Sequence, residues 1–333
     1  MPLLTVHDLS VVFARRGAPL EAVRGVSFAL ETGEILGLVG ESGSGKTVTC
    51  RAILKLLPGQ RARISGGAVL FEGQDLVPLD EPGMRRVRGA KIAMVFQNPA
   101  SHLDPVMTIG RQIAEAVVFH ERAGTREART RALELLRQVG IPDAERQLNA
   151  YSHQLSGGMR QRAMIAMALS CRPKLLIADE PTTALDVTVQ AQILRLLLRL
   201  RDETGLAIIL ITHNLGVVAQ TCDRIAVMYA GRIVERGAKQ AVLARPLHPY
   251  TEGLVRSQPK AMPTGEPLLS IEGQPPTLTA LPAGCAFHPR CRHAETACRQ
   301  GPPPPPEQVA DRETACSRWR VMARNRCTPE PTS

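Results

Sequence analysis

The sequence contains few aromatic residues and no long apolar segment. Phenylalanine, tryptophan and tyrosine together make up 3% of its 333 residues, so a folded core must consist mainly of aliphatic side chains. No apolar run approaches the roughly 20 residues that a bilayer-spanning helix needs. The first residues also lack the basic and apolar stretches of a secretory signal. These absences predict a cytosolic protein that reaches a membrane only through a partner.

The charge is predominantly basic, with 41 lysine and arginine residues against 31 aspartate and glutamate residues and a net charge of +10. Such a surplus suits a solvated surface, an anionic membrane face or nucleic acid. The sequence contains no RNP-like, zinc-finger or helix-turn-helix pattern. We therefore expect no nucleic-acid partner.

The hydrophobic pattern predicts an α/β fold in several parts. Alternating apolar and polar positions between residues 3 and 30 indicate half-buried antiparallel strands. Residues 109–169 have mostly helical periodicity, which indicates an α-helical part. Farther along, three apolar runs predict strands and one amphipathic stretch predicts a helix, and this alternation indicates a parallel sheet covered by helices. The three runs are residues 174–178, 207–212 and 225–229, with the helix at 187–204.

The composition changes after residue 259, where proline, glycine and cysteine dominate and five prolines occupy positions 302–306. Consecutive prolines favour an extended segment without backbone donors. We predict one nucleotide-binding domain over residues 1–258, with a helical subdomain at about 97–170. Residues 259–333 are predicted to form a small, loop-rich region. No internal repeat is visible, so the chain should hold a single nucleotide cassette.

Residues 40–47, Gly-Glu-Ser-Gly-Ser-Gly-Lys-Thr, fit the phosphate-loop pattern and stand between a predicted buried strand and a predicted helix. Glycines let backbone N–H groups converge on phosphate oxygens, and the helix N-terminus adds positive potential. Lys46 is expected to reach the β- and γ-phosphates of a nucleoside triphosphate, and Thr47 to offer its hydroxyl to Mg²⁺. The remaining predicted ligands are Gly40, Ser42, Gly43, Ser44 and Gly45.

An acidic pair ends the apolar run at 175–178. Asp179 is predicted to coordinate Mg²⁺ directly or through water. Because side chains alternate along a strand, Glu180 should face the opposite side and polarise the attacking water.

Residues 155–162, Leu-Ser-Gly-Gly-Met-Arg-Gln-Arg, resemble the signature of the ABC ATPase family. Ser156, Gly157 and Gly158 open a predicted helix, and a helix N-terminus can bind phosphate. The resemblance, which covers about residues 3–258, implies a head-to-tail dimer. In it, ATP is held between the phosphate loop of one cassette and these three residues of the other. It also implies two permease subunits, an extracytoplasmic substrate-binding protein and a peripheral position on the cytoplasmic face of the inner membrane.

Other segments resemble further ABC motifs in the family's order. Gln97 resembles the Q-loop glutamine, which implies contact with Mg²⁺ or the water. Asp186 resembles the D-loop aspartate, and His213 resembles the switch histidine that contacts the γ-phosphate. For the adenine, Phe13 is the candidate for ring stacking, and Arg16 is a second candidate to lie over the ring.

Two segments resemble the peptide-importing branch of this family, residues 97–110 and the His-Pro-Tyr-Thr at 248–251. The C-terminal cysteines resemble a motif of dipeptide/oligopeptide transporter ATPases, whose four thiolates are associated with a [4Fe–4S] cluster. Four cysteines suffice for such a cluster, and their spacing lacks the paired C-x2-C of zinc ribbons. Zinc and no metal remain alternatives, and Cys327 is expected to be a spare thiol. The four cysteines are Cys285, Cys291, Cys298 and Cys316.

Two other functions compete with a transporter ATPase. One is a soluble ABC protein of DNA repair or translation, and the other is a non-catalytic regulatory module built around the cysteines. The transported solute is also open, with dipeptides, longer peptides, nickel chelates and opines as candidates. The second cassette can be identical or a paralogue.

Overall fold

The computed structural model describes residues 1–15, 18–183, 185–258 and 271–324. It divides into two compact units. The first unit comprises Met1–Leu3, Leu30–Ile35 and Pro78–Ile211, and the second comprises Leu4–Ala29, Leu36–Val77 and Thr212–Ser333.

Strands occur in both units. In chain order they are β1 Leu4–Phe13, β2 Leu20–Leu30, β3 Ile35–Val39, β4 Ala62–Phe71, β5 Gln74–Asp75, β6 Ile92–Val95, β7 Leu175–Asp179, β8 Ala207–Thr212, β9 Arg224–Tyr229, β10 Arg232–Ala238, β11 Glu307–Val309 and β12 Arg312–Thr314.

The α-helices are interspersed with these strands. In chain order they are α1 Lys46–Ile53, α2 Glu81–Arg85, α3 Ile109–Glu121, α4 Thr125–Gln138, α5 Ala144–Gln147, α6 Gly157–Ala168, α7 Val187–Thr204, α8 Leu215–Thr221, α9 Lys239–Ala244, α10 Pro249–Arg256 and α11 Trp319–Arg324.

The first unit combines parallel strands with the helical segment. β7 pairs in parallel with β6 on one side and with β8 on the other. All five residues of β7 are buried, as expected for a parallel strand covered on both faces. The helices α3 to α6 follow β6 in sequence, and α3 packs against α4 and α6.

The second unit contains an antiparallel sheet in the order β2-β1-β4-β5. It also contains β3, which pairs in parallel with β9, while β9 continues through antiparallel β10 to β12 and β11. The aliphatic core predicted from the scarcity of aromatics is present, with Val, Leu and Ile prominent among the buried residues. The predicted α/β fold with an antiparallel β part is confirmed.

The structure adds three details that the hydrophobic pattern did not give. The first strand runs continuously from Leu4 to Phe13, with a register irregularity between His7 and Ser10 where Asp8 has a φ of 46°. In the helical segment, α3 ends at its C-cap, Arg122, whose φ is 55°. The C-terminal region adds strands β11 and β12 and helix α11 to its loops. The proposed boundary near residue 259 stays a prediction.

Candidate nucleotide site and cysteine cavity

The phosphate loop connects the fully buried β3 to α1 in the second unit. The Lys46 side chain folds back along this loop, and its Nζ donates to the carbonyl oxygens of Gly40 at 2.8 Å and Glu41 at 2.9 Å. These two hydrogen bonds hold the Lys46 ammonium group against the first residues of the loop. Thr47 is the second residue of α1, while Ser42 and Gly43 are exposed.

The loop begins at a glycine because nothing larger fits. Gly40 has a φ of 150°, and a Cβ atom there would lie 2.2 Å from the carbonyl oxygen of Met228. That oxygen belongs to the backbone of β9 and cannot rotate away. The tight turn after β3 therefore requires glycine at this position.

The predicted acids end β7 in the first unit. Asp179 is 2% exposed. Glu180 has a φ of 47°, so it leaves the strand and the alternation of side chains does not continue through it. Its Oε2 accepts hydrogen bonds from Nε2 of Gln97 at 2.8 Å and from Oγ1 of Thr183 at 2.9 Å. The structure thus brings the predicted base together with the predicted Q-loop glutamine.

The signature residues stand at the start of α6, also in the first unit. Ser156 is the N-cap, and its Oγ accepts the N–H of Met159 at 3.3 Å. Gly157 and Gly158 form the first turn, where helical N–H groups have no partner within the helix. Asp186 is the N-cap of α7, accepting the N–H of Val189 at 2.8 Å.

Three further predicted residues lie in the second unit or outside the described chain. His213 is exposed and directly follows β8. Phe13 is the half-buried last residue of β1. Arg16 lies outside the described residues, so the second adenine candidate has no observed position.

The four C-terminal cysteines line one small cavity of about 20 Å³ in the second unit, together with Phe287, three histidines, three other residues and Arg318. Burial, followed by the neighbouring thiols, raises the pKa of Cys316 to about 12, and burial also raises the pKa of Cys285 and Cys291. Among the described residues, no group of three or more His, Cys, Asp or Glu side chains has an arrangement that could hold a single metal ion. Cys327 lies outside the described residues.

Comparisons with known proteins place this geometry in a family. The ABC transporter family model matches residues 23–183, and the model of the oligopeptide/dipeptide transporter C-terminal region matches residues 234–298. The oligopeptide transport ATP-binding protein OppD of Bacillus subtilis is 53% identical over 88% of this chain and 82% of its own length. The dipeptide transport ATP-binding protein DppD of Haemophilus influenzae is 50% identical, covering 91% and 92%. The chain belongs to the ATP-binding subunits of peptide-import ABC transporters.

A solved structure supports the fold of this ABC subunit. The dimeric, post-hydrolysis ATP-binding cassette MJ0796, bound to ADP and Pi, superposes with a TM-score of 0.64. It is 28% identical and covers 71% of this chain and 98% of its own. Membership of the transporter family decides against the DNA-repair, translation and non-catalytic alternatives. Among the described residues no helix is long and apolar enough to cross a membrane.

The sequence did not predict one contact between the C-terminal cysteine region of this ABC subunit and its phosphate loop. Arg290, which directly precedes a cavity cysteine, makes a two-armed ion pair with Glu41 at 2.7 and 2.9 Å. The two residues are far apart in sequence, so no local pattern could reveal the pair. The hydrogen bond from Thr183 to Glu180 was likewise not predicted.

Proposed function

We propose that this subunit drives peptide import by closing head to tail on a second cassette around ATP, and reopening after hydrolysis. The observation that carries the proposal is the hydrogen bond of Gln97 to Glu180 beside the end of β7. It holds a carboxylate at the end of the strand that carries the buried Asp179. The similarity to a dimeric cassette bound to ADP and Pi supports the closed dimer.

The phosphate loop binds the triphosphate of ATP in this proposal. Backbone N–H groups of residues 40–45 and the start of α1 face the phosphate oxygens, as at other helix N-termini. The Lys46 ammonium group has three N–H donors, so it can stay on the loop carbonyls that orient it and also donate to the β- and γ-phosphates, where the charge-assisted contact is strong. Thr47 donates its hydroxyl oxygen to Mg²⁺.

The residues at the end of β7 perform the chemistry. Asp179 holds Mg²⁺, and Glu180 accepts a proton from the attacking water. Gln97 and Thr183 orient the Glu180 carboxylate through the hydrogen bonds that both make to Oε2. His213 contacts the γ-phosphate, and Phe13, with Arg16 as the second candidate, contacts the adenine.

The start of α6 serves the ATP of the partner cassette. Ser156, Gly157 and Gly158 offer N–H groups to a γ-phosphate that their own chain cannot reach. Asp186 lies at the start of the next helix and takes part in the same cassette contact.

Exposed apolar side chains in the first unit suit a permease partner. Val106 is 80% exposed and Phe119 is 63% exposed. Tyr151 is also exposed, and its backbone is bridged to Thr108 beside the Val106 segment. Exposed apolar residues mark interaction sites when they are grouped, and the bridge groups Tyr151 with the Val106 segment, whereas Phe119 stands near the other end of α3. We assign Val106 and Tyr151 to a contact with a permease helix. In this proposal the subunit lies peripherally on the cytoplasmic face of the inner membrane, with an extracytoplasmic peptide-binding protein on the other side.

The cysteine cavity fits a [4Fe–4S] cluster in its donor set. All four thiols line one cavity, and thiolates are the ligands that iron–sulfur clusters use. Cys285, Cys291, Cys298 and Cys316 would hold the cluster, and it would supply cross-links to a region with few buried apolar side chains.

Anaerobic purification tests the cluster. We expect a brown protein that contains iron and acid-labile sulfide in equal amounts. A colourless protein that contains stoichiometric zinc would show that the cavity is a Cys/His zinc site and not a cluster site. A metal-free protein would show that the cavity binds neither metal.

Glu180→Gln tests the hydrolytic assignment. We expect ATP hydrolysis to fall at least about 100-fold, while ATP binding persists and light scattering detects an ATP-dependent dimer. Glu203→Gln, on the exposed side of α7, is the matched control and should hydrolyse normally. Normal hydrolysis by Glu180→Gln would remove the base assignment.

A further inference from the structure

Glu41 lies inside the phosphate loop, and all of its polar groups are engaged. Its N–H donates to the hydroxyl oxygen of Tyr250 at 2.7 Å, and its carbonyl oxygen accepts from Lys46. Its carboxylate accepts both arms of the Arg290 guanidinium. The position of the carbonyl that holds Lys46 is therefore fixed by two residues from outside the loop.

Arg290 is built into the C-terminal cysteine region. It ends the single helical turn His288–Arg290, next to Cys291, and its side chain is only 4% exposed. Beyond Glu41, its guanidinium donates to the carbonyl oxygens of Glu272 at 2.9 Å and Ile271 at 3.3 Å. A planar guanidinium with this many partners has little freedom to move.

The pair also changes the charge that a nucleotide meets. An unpaired Glu41 carboxylate inside the phosphate loop would repel the polyphosphate of ATP. Arg290 neutralises that carboxylate through a two-armed, charge-assisted contact, the strongest class of side-chain hydrogen bond.

We propose that Arg290 is a positioning residue for the phosphate loop, through which the C-terminal cysteine region sets the affinity of this subunit for ATP. Arg290 does not touch the nucleotide. It holds Glu41, cancels its charge and thereby fixes the carbonyl on which Lys46 rests. The inference depends on the proposed role of residues 40–47 in binding the triphosphate.

A double-mutant cycle on the Arg290–Glu41 pair tests the proposal on the full-length chain. A fluorescent ATP analogue measures affinity, and steady-state hydrolysis gives KM and kcat. Arg290→Gln leaves Glu41 unpaired, and we expect the Kd for ATP to rise roughly tenfold to a hundredfold, as for one added charge at an effective dielectric constant near 20. KM should rise in parallel, with a smaller change in kcat. Arg290→Lys keeps the positive charge but cannot make the two-armed contact with Glu41, so it should give an intermediate Kd.

Rescue distinguishes this role from a general structural one. Adding Glu41→Gln to Arg290→Gln removes the unpaired carboxylate, so the double variant should bind ATP more tightly than Arg290→Gln alone. Loss of structure would not be repaired by a second substitution. Arg292→Gln is the matched control, because Arg292 pairs with Glu252 at 2.9 Å and has no contact with the loop.

Two results would overturn the proposal: an unchanged Kd in folded Arg290→Gln, or a double variant no tighter than Arg290→Gln. If Arg290→Gln does not fold, Tyr250→Phe gives a second route, because it removes the hydroxyl that holds the Glu41 N–H and should weaken ATP binding. An unchanged Kd there would also count against the positioning role. Loss of ATP binding in Lys46→Ala with no effect in the Arg290 variants would refute this inference while leaving the phosphate loop itself supported.

Discussion

The cassette strands and the C-terminal cysteine region are held together in different ways. In β7 every residue from Leu175 to Asp179 is buried, and close packing of aliphatic side chains stabilises it. Among the described residues from 271 to 324, the buried apolar side chains are Phe287, Ala315 and Met322. So small an apolar set contributes little burial energy.

Arginines attach the cysteine region to the rest of the second unit. Arg290 pairs with Glu41 and Arg292 with Glu252, while Arg236 of β10 pairs with Glu313 of β12. Such contacts depend on geometry and weaken when one partner moves. The comparison teaches that the aliphatic cassette core should stay folded when the contacts of the tail are damaged. The tail itself, and the ATP affinity that depends on the Arg290–Glu41 pair, should not survive such damage.

The largest expected effect is on the cassette side. Lys46→Ala removes the cation that the loop carbonyls hold, so ATP binding and hydrolysis should both fall at least about 100-fold. The melting temperature should change less than ATP binding, because the Lys46 Nζ contacts loop carbonyls and not the aliphatic core. Calorimetric ATP titration and a hydrolysis assay measure the loss. Lys239→Ala, at the start of α9, is the control, and near-normal ATP binding by Lys46→Ala would contradict the assignment of the loop.

The next effect falls on the tail. Cys316→Ser removes one of the thiols that line the cavity, so bound iron should fall sharply and limited proteolysis should cut the C-terminal region faster. Cys171→Ser is matched to it, because the Cys171 Sγ donates to the Ala116 carbonyl and a hydroxyl can do the same. Full retention of metal and protease resistance in Cys316→Ser would show that the tail needs no cross-link at this position.

One buried carboxylate should make the folding stability of the protein depend on pH. Glu235 of β10 accepts the N–H groups of Leu247 at 2.8 Å and His248 at 2.9 Å, and burial raises its pKa from an ordinary 4.5 to about 7. The folded state therefore holds the proton more tightly than the unfolded state. Its contribution to stability is fully present below pH 4.5 and is lost as the pH rises to about 7.

Glu235→Gln should remove this dependence of the unfolding free energy on pH. The difference in unfolding free energy between wild type and variant should change by on the order of 3 kcal/mol between these two pH values. His248, whose pKa burial lowers to about 3, is present in both proteins, so its own contribution largely cancels in the difference. Urea unfolding at several pH values measures it, and Glu203→Gln is the control. Parallel profiles for wild type and Glu235→Gln would disprove the raised pKa.

Contiguous patterns explain what the sequence could predict. The phosphate loop is eight consecutive residues, and the helix Val187–Thr204 was predicted to the residue from its periodicity and its ends. The pairs Arg290–Glu41 and Glu235 with the Leu247 N–H join distant segments. No periodicity records such contacts, because they arise from tertiary packing. The family resemblance implied that the four cysteines share one site, but the other side chains that line their cavity could not be predicted, because they come from separate segments.

The smallest effect concerns one methyl group in the cassette. A Cβ added at Gly158 in α6 would lie 2.8 Å from Cγ1 of Val189 in α7. Overpacking of this kind costs about 1 to 3 kcal/mol, whereas alanine gains about 1 kcal/mol over glycine in a helix. Gly158→Ala should therefore lower the unfolding free energy by about 1 kcal/mol, read from the urea midpoint.

The effect of Gly158→Ala on the unfolding free energy should change sign when the Val189 Cγ1 atom is removed. In a Val189→Ala background the added methyl group meets no Cγ1 atom, so Gly158→Ala should now stabilise the protein by up to about 1 kcal/mol. A loss of the same size in both backgrounds would mean that the helix start, and not its packing against α7, requires glycine.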